Sequence, residues 1–164
     1  DAIGLKDIEV LAPEGMNDQG QTIGLGRIGT ISPMNLRQFA RLVAKAFPAG
    51  PTGLLVGGDL EATIHRVAVS PGAGDSLLNQ VLASGVDVLI TADLRHHPAS
   101  EFLEEGHCGL ICASHWATET LWMPVLARKL REEARRSAIT CEVKVSTIVT
   151  EPWSLHLDTE GSYL

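Results

Sequence analysis

The residues best equipped for chemistry lie in one stretch, Val86 to Glu119, which carries Asp93, Arg95, His96, His97, His115 and Glu119. His115 and Glu119 are four residues apart. On a helix that spacing sets an imidazole and a carboxylate on one face, where both can meet one divalent ion. It equally describes a local helical pair worth a few tenths of a kcal/mol, and the residues alone leave both readings open. His96-His97 stands directly before Pro98 and reads either as solvated loop or as a pair of imidazole ligands. Imidazole with carboxylate suits Zn, Fe, Mn or Ni about equally. The chemistry expected of such a site is therefore metal-assisted, with Asp93 close by.

Strands must position these groups. Val88-Leu89-Ile90-Thr91 follows Asp87 as a short apolar run, which predicts a buried strand of a parallel sheet with Asp93, Arg95, His96 and His97 at its carboxyl end. Gly109 to Ala113 predicts a second strand, delivering Ser114 and His115. Ligands in open α/β sheets gather beyond the carboxyl ends of strands, so two such ends bearing His and carboxylate groups predict a site.

The remaining elements frame those two strands. Residues 1–26 read as a connector, mobile around Gly15 to Gln21, with 27–164 as the folded unit. A short strand is expected at Arg27 to Ile31. Ser32-Pro33 then offers a helix N-cap with Pro at the first helical position, and Pro48 ends that helix. Strands follow at Gly53 to Val56 and Ile64 to Val69. Ser70 to Ser76 is a Gly-rich turn that serves either as a tight turn with positive φ or as a ligand-facing wall. It carries neither the Gly-Lys-Ser/Thr of a phosphate loop nor a full dinucleotide fingerprint. Helices are predicted near Ser76 to Ala83, Pro98 to Glu105 and Met123 to Ser137, with a kink or short turn at Pro124. Thr140 to Val149 alternates polar and apolar residues, the pattern of a half-exposed strand. This order predicts an α/β sandwich with a mixed sheet, because Gly53–Val56 and Ile64–Val69 lie too close for a crossover helix.

Composition bounds the partners. The 164 residues suffice for one domain with a full core, and 45% hydrophobic with 20% charged residues is ordinary for a globular chain. A net charge of -7 argues against a general nucleic-acid surface. The basic run from Arg128 to Arg136 is interrupted by Glu132 and Glu133 and reads as a solvated helix face. No apolar run approaches the ~20 residues that span a bilayer. Cys108 and Cys112 on one strand face would lie about 13 Å apart, too far to share an ion, so buried reduced thiols and a cytoplasmic location are expected. The chain begins with Asp, which suggests a fragment or processed piece.

Taken together, Gly26-Arg-Ile-Gly29, the Gly-rich turn, Asp87-x-x-Ile90-Thr91 and a strand ending in Ser114-His115 with Glu119 four residues on resemble the type 2 GTP cyclohydrolase I homologue family. That family is also named after the yeast NGG-one-interacting factor three. The resemblance implies a three-layer α/β sandwich that is one lobe of a duplicated two-lobe fold. A dinuclear metal site would lie between the lobes, and the whole would assemble as a ring-shaped hexamer. It implies that this chain is the second half, that the missing N-terminal half brings a His-His pair and an Asp, and that Ser114 replaces the usual Gly. His115 and Glu119 would be metal ligands, Glu119 bridging two ions and activating a shared water. Asp93, His96 and His97 would serve proton transfer or ligand orientation, His97 facing the cleft. Hydrolysis of a nucleotide or phosphate ligand follows from the family name. A binding or assembly module that holds metal without turnover is the alternative. The isolated chain is expected to be inactive, to hold metal weakly and to self-associate.

Overall fold

A computed structural model describes residues 2–157, 159, 160 and 162. Its centre is β5 (Val88–Ala92), five residues that are all buried. Strand periodicity sends them to alternate faces: Val88 and Ile90 pack with Phe39, Val43, Val67 and Ile111, while Leu89 packs with Ile28, Ala68, Val81 and Phe102. A strand covered on both sides admits a polar residue only where it is hydrogen-bonded, as Thr91 is, which is why the rest of this stretch reads as an apolar run.

Six strands form one sheet in the order β1-β2-β4-β5-β6-β3, with β1 Lys6–Met16, β2 Thr22–Asn35, β3 Leu55–Gly57, β4 Thr63–Ala73 and β6 Gly109–Ala113. β4, β5 and β6 run parallel, whereas β1–β2, β2–β4 and β3–β6 pair antiparallel. The sheet is mixed, as expected. Yet β3 and β4 are not neighbours: β3 closes the far edge against β6. Helix α1 (Leu36–Ala46) covers one face, while α2 (Leu78–Ser84) and α3 (His96–Glu105) cover the other, giving three layers. The crossover helices α2 and α3 impose the parallel pairing of β4, β5 and β6. Gly85, at φ 64, caps α2 in the left-handed region.

Several expectations are corrected. The connector over 1–26 is instead β1 and the first part of β2, a hairpin whose turn is held by the Asn17 carboxamide oxygen accepting from the Gln19 and Gln21 amides. Gly and polar residues there mark the turn and bulges of an edge hairpin, where one face needs no apolar residues. Ser32-Pro33 does not open α1, since β2 runs on to Asn35. Asn35 is the N-cap and forms a reciprocal capping box with Gln38. Pro33 falls within the pairing irregularity between Thr30 and Met34, where a missing N–H breaks no ladder bond. Helix α3 begins at His96, so the His-His pair is helical and not loop. Pro98 fits its first turn because that amide has no intrahelical partner anyway. Thr140–Val149 carries no strand. Its own sheet ends at β1 and β3, and the segment reaches neither edge. Cys108 is buried as expected, with its thiol pushed up to about 12 by burial and then by the Asp87 charge, but Cys112 is only half-buried and Cys141 is exposed.

Candidate metal centre

β5 and β6 lie side by side in parallel, with Ala92 opposite Ala113. Their carboxyl ends therefore release Asp93 and Ser114 at the same level of the sheet. Ser114 caps α4 (His115–Thr120), its hydroxyl accepting from the Ala117 amide, and this sets His115 and Glu119 one helical turn apart on one face. Asp93 turns out of β5 with φ 54, a left-handed conformation that short polar side chains tolerate best.

The result is a three-membered constellation. Asp93 Oδ2 lies 2.7 Å from His115 Nδ1, and Glu119 Oε1 lies 3.1 Å from His115 Nε2. A neutral imidazole can donate from only one nitrogen, so both contacts are satisfied together by the imidazolium. The His115 pKa is raised accordingly, first by the Asp93 hydrogen bond against some loss from burial, with the Glu119 and Asp93 charges adding to it. All three side chains are about half exposed.

The floor of the site is the last, Gly-containing part of β4. Gly72, at φ +69, lies so close beneath the pair that a Cβ there would come within 2.9 Å of Glu119 Oε1 and 3.2 Å of His115 Nε2. Its amide donates to Thr118 Oγ1 at 2.9 Å, its carbonyl accepts from Thr91 Oγ1 at 3.1 Å, and Thr118 Oγ1 donates in turn to the His115 carbonyl at 2.8 Å. The turn expected from Ser70 is corrected: β4 runs on to Ala73, and the positive φ falls inside the strand, at Gly72.

The donors can be tested against a divalent ion. His115 Nδ1 is tied to a carboxylate and Nε2 faces a second one, the arrangement in which an orienting partner fixes the tautomer of a ligating imidazole. The 3.1 Å between Nε2 and Glu119 Oε1 is close to the roughly 3.3 Å between two ligands of one tetrahedral zinc. These two donors fit. A complete site does not follow, because Asp93 and Glu119 flank opposite ring nitrogens. Among the described residues no group of three or more His, Cys, Asp or Glu side chains could hold an ion.

His96 and His97 stay apart from this centre. They sit exposed in the first turn of α3, their rings edge-on with centroids 5.4 Å apart. His97 lines neither of the two cavities that contain His115. One of these, about 540 Å³, runs between Glu119, Trp122 and the chain at Ser146 to Pro152. The other, about 410 Å³, holds Asp93, Ser114 and Glu151. Glu151 was not singled out in the sequence. Its Oε2 is buried without a hydrogen-bond partner beside the site. The only signal for it is a lone carboxylate before Pro152-Trp153 in a tail with no other acidic residue from Ser146 to Leu157.

Comparison with known proteins follows the same residues. The sequence matches the family described as Duf34/NIF3 (NGG1p interacting factor 3) over residues 1–152. The chain belongs to the Duf34/NIF3 family. A Streptomyces coelicolor protein named GTP cyclohydrolase 1 type 2 homolog is 42% identical over 157 residues, covering 95% of this chain and 55% of the relative. A Mycobacterium tuberculosis protein of the same name is 44% identical over 137 residues, covering 83% of this chain and 35% of the relative. The Duf34/NIF3 chain thus spans about half the length of the first relative and about a third of the second. A solved Bacillus cereus protein related to NIF3 superposes with a TM-score of 0.75 at 28% identity, over 84% of this chain and 37% of that one. A Staphylococcus aureus hypothetical protein reaches 0.80 at 23% identity, over 94% and 61%, a likeness of fold. The motifs at Gly26–Gly29, Asp87–Thr91 and Ser114–Glu119 therefore pointed to the right family, and the α/β lobe is half-length among its relatives.

Proposed function

We propose that this chain supplies one side of a dinuclear divalent-metal centre in a metal-dependent hydrolase, with His115 and Glu119 as ligands. The observation that carries the reading is the clearance over Gly72, where His115 Nε2 and Glu119 Oε1 face each other 3.1 Å apart with Asp93 holding the far nitrogen. When bound, Zn, Fe, Mn or Ni supplies Lewis acidity and lowers the pKa of bound water. The chain's own groups do the rest. Asp93 keeps His115 in the tautomer whose Nε2 is free to ligate, and Glu119 offers a carboxylate that can bridge. His97 takes no part that its position supports. The remaining donors belong to the part of the relatives' length that this chain does not span, and a nucleotide or phosphate ester is the substrate class that the relatives' name suggests. Assembly as a homo-oligomer, the ring-shaped hexamer that the family resemblance implies, and residence in the cytoplasm complete the reading. The latter is supported by three unpaired cysteines. Among the described residues no helix is long and apolar enough to cross a membrane.

One observation favours the non-catalytic alternative, a module that holds metal without turnover. Asp93 Oδ2 is already committed to His115 Nδ1, so this carboxylate is not free to act as the base that a hydrolytic water needs.

Calorimetric titration of metal-stripped chain with Zn and with Mn tests the ligands. Weak, exchange-labile binding that disappears in Glu119→Gln is expected, because catalytic sites normally use three protein donors for each ion. Tight binding that survives the substitution would overturn the assignment. Metal-dependent turnover over a panel of nucleotides and phosphate esters, measured on a relative of full length, separates hydrolase from module.

A further inference from the structure

A cavity of about 490 Å³ opens between α1, the chain from Phe47 to Leu54 that leads into β3, and the start of α4. Its floor is sheet, with Val56 of β3 and Ala113 at the end of β6. Ala117 of α4 forms one wall, and α1 forms the other with Arg37, Ala40, Arg41 and Ala44. Those four residues are spaced i, i+3, i+4, i+7, which is one face of a helix. The face is divided by chemistry. Its alanines end at Cβ and leave the space beside the sheet open, where a Leu or Phe at the same position would fill it. Its arginines are the exposed part of the lining.

Both charged side chains in this lining are positive, in a chain whose net charge is -7. Arg37 is engaged, its Nε lying 3.0 Å from Glu61 Oε1. The Arg41 guanidinium, one helical turn later, has no carboxylate or hydrogen-bond partner among the described residues. Thr52 and Ser114 are the other polar side chains of the lining. Ser114 Oγ accepts from the Ala117 amide, a bond that leaves the hydroxyl hydrogen to donate elsewhere. The side chains around the cavity therefore present donors and positive charge above an apolar floor. A guanidinium is a planar fork of donors whose geometry matches a carboxylate or a phosphate.

We infer that this cavity binds a small organic anion, its apolar body against Ala40, Ala44 and Ala117 and its carboxylate or phosphate group on Arg41. The volume lies within the roughly 300–1,000 Å³ usual for small-molecule sites, which are mostly apolar with a few polar groups that fix orientation. Apolar contact supplies affinity, and Arg41 selects anions over neutral or cationic molecules of the same shape. The cavity shares Thr52, Gly53, Ala113 and Ser114 with the one of about 410 Å³ that holds Asp93 and His115. A ligand here lies beside the candidate metal centre without touching its donors, since none of Asp93, His115 and Glu119 lines this cavity. The inference therefore does not rest on the metal reading.

Three probes that share one ring system provide the experiment: naphthoate, naphthyl phosphate and uncharged naphthamide. Each is titrated into the metal-free chain and followed by amide NMR. Both anions are expected to shift the amides of α1, of Phe47 to Leu54 and of Ser114 to Ala117, and to bind roughly tenfold tighter than naphthamide. The tighter of the two anions identifies the head group. Arg41→Gln should lower both anions to the affinity of naphthamide and leave naphthamide itself unchanged, which a merely structural role for Arg41 would not do. Added salt should weaken the anions alone. Ala44→Leu should weaken all three probes by filling the space. Arg41 and Ala44 are both exposed on α1, where Gln and Leu are good helix formers, so the variants keep the fold, and their amide spectra verify it. Anions that do not bind, or that bind no tighter than naphthamide, overturn the proposal. So do anions that bind Arg41→Gln as they bind the parent chain, or shifts confined to other surfaces.

Discussion

At the scale of single residues, the centre is held by two features of opposite kind: a carboxylate that must be present and a side chain that must be absent. Asp93 holds His115 by its Nδ1, and the metal-free imidazolium is stabilised between Asp93 and Glu119. Because the folded-state pKa of His115 is raised, its contribution to stability is fully present below the unfolded value near 6.5 and is lost as pH rises through the folded pKa. Metal binding to Nε2 must displace that proton, so affinity should increase with pH across the same window. Asp93→Asn removes the largest cause of the shift. The His115 titration followed by NMR in metal-free chain is expected to move down in pH, and an unmoved midpoint would show that Asp93 does not set it. Gly72 is the complementary case. Gly72→Ala places a methyl group against both donors in a backbone conformation that costs an L-residue about 1–2 kcal/mol. Denaturant unfolding should show a loss of that size, together with weakened metal binding.

At the scale of elements, the Gly-containing end of β4 and helix α4 are coupled through Thr118. Its buried hydroxyl accepts from the Gly72 amide and donates to the His115 carbonyl. The end of β4 and helix α4 are thereby fixed to each other without any charged group. Thr118→Val keeps the shape but leaves the Gly72 N–H buried and unpaired, which costs about 1–3 kcal/mol. Urea titration measures the loss, and a variant as stable as the parent would show that water replaces the hydroxyl. Thr91 acts from the β5 side in the same way, through the Gly72 carbonyl, and the close approach of Gly74 to Thr91 Oγ1 leaves no room for a side chain there.

At the scale of the whole molecule, stability is concentrated in the middle of the sheet and the candidate site lies at its carboxyl edge. β5 is paired on both sides and buried on both faces, so its amides open only when the whole lobe does. Hydrogen exchange should find its amides among the slowest in the chain, and the hairpin β1–β2 at the sheet edge should exchange faster. A reversed order would mean that the hairpin, not the parallel centre, is the most stable unit. The tail from Ser146 to Trp153 crosses the open side of the site and contributes walls to both cavities around His115. The exposed carboxyl edge is thus partly covered by chain that belongs to no layer of the sandwich.

The amino-acid sequence by itself determined the central strands, the helices that cross between them, the family and the pairing of His115 with Glu119. Each of these rests on local physics: a run of apolar residues long enough for one strand, a Pro or Gly at a helix end, an i, i+4 spacing on one turn. Only the tertiary structure decided the rest. Asp93 and His115 are 22 residues apart, and it is the parallel pairing of β5 with β6 that brings their side chains to 2.7 Å. The first part of the edge hairpin, up to residue 26, reads as connector in the sequence because a strand with one face in water needs few apolar residues, and its Gly and Asn mark turns whichever way they are used. His97 carries every local mark of a site residue, yet α3 turns it toward His96, since a helix fixes direction by its axis and not by the chemistry at its first turn. Thr140–Val149 has the alternation of a strand, but alternation specifies a face and not a partner, and hydrogen-bonding partners exist only where the fold supplies an edge.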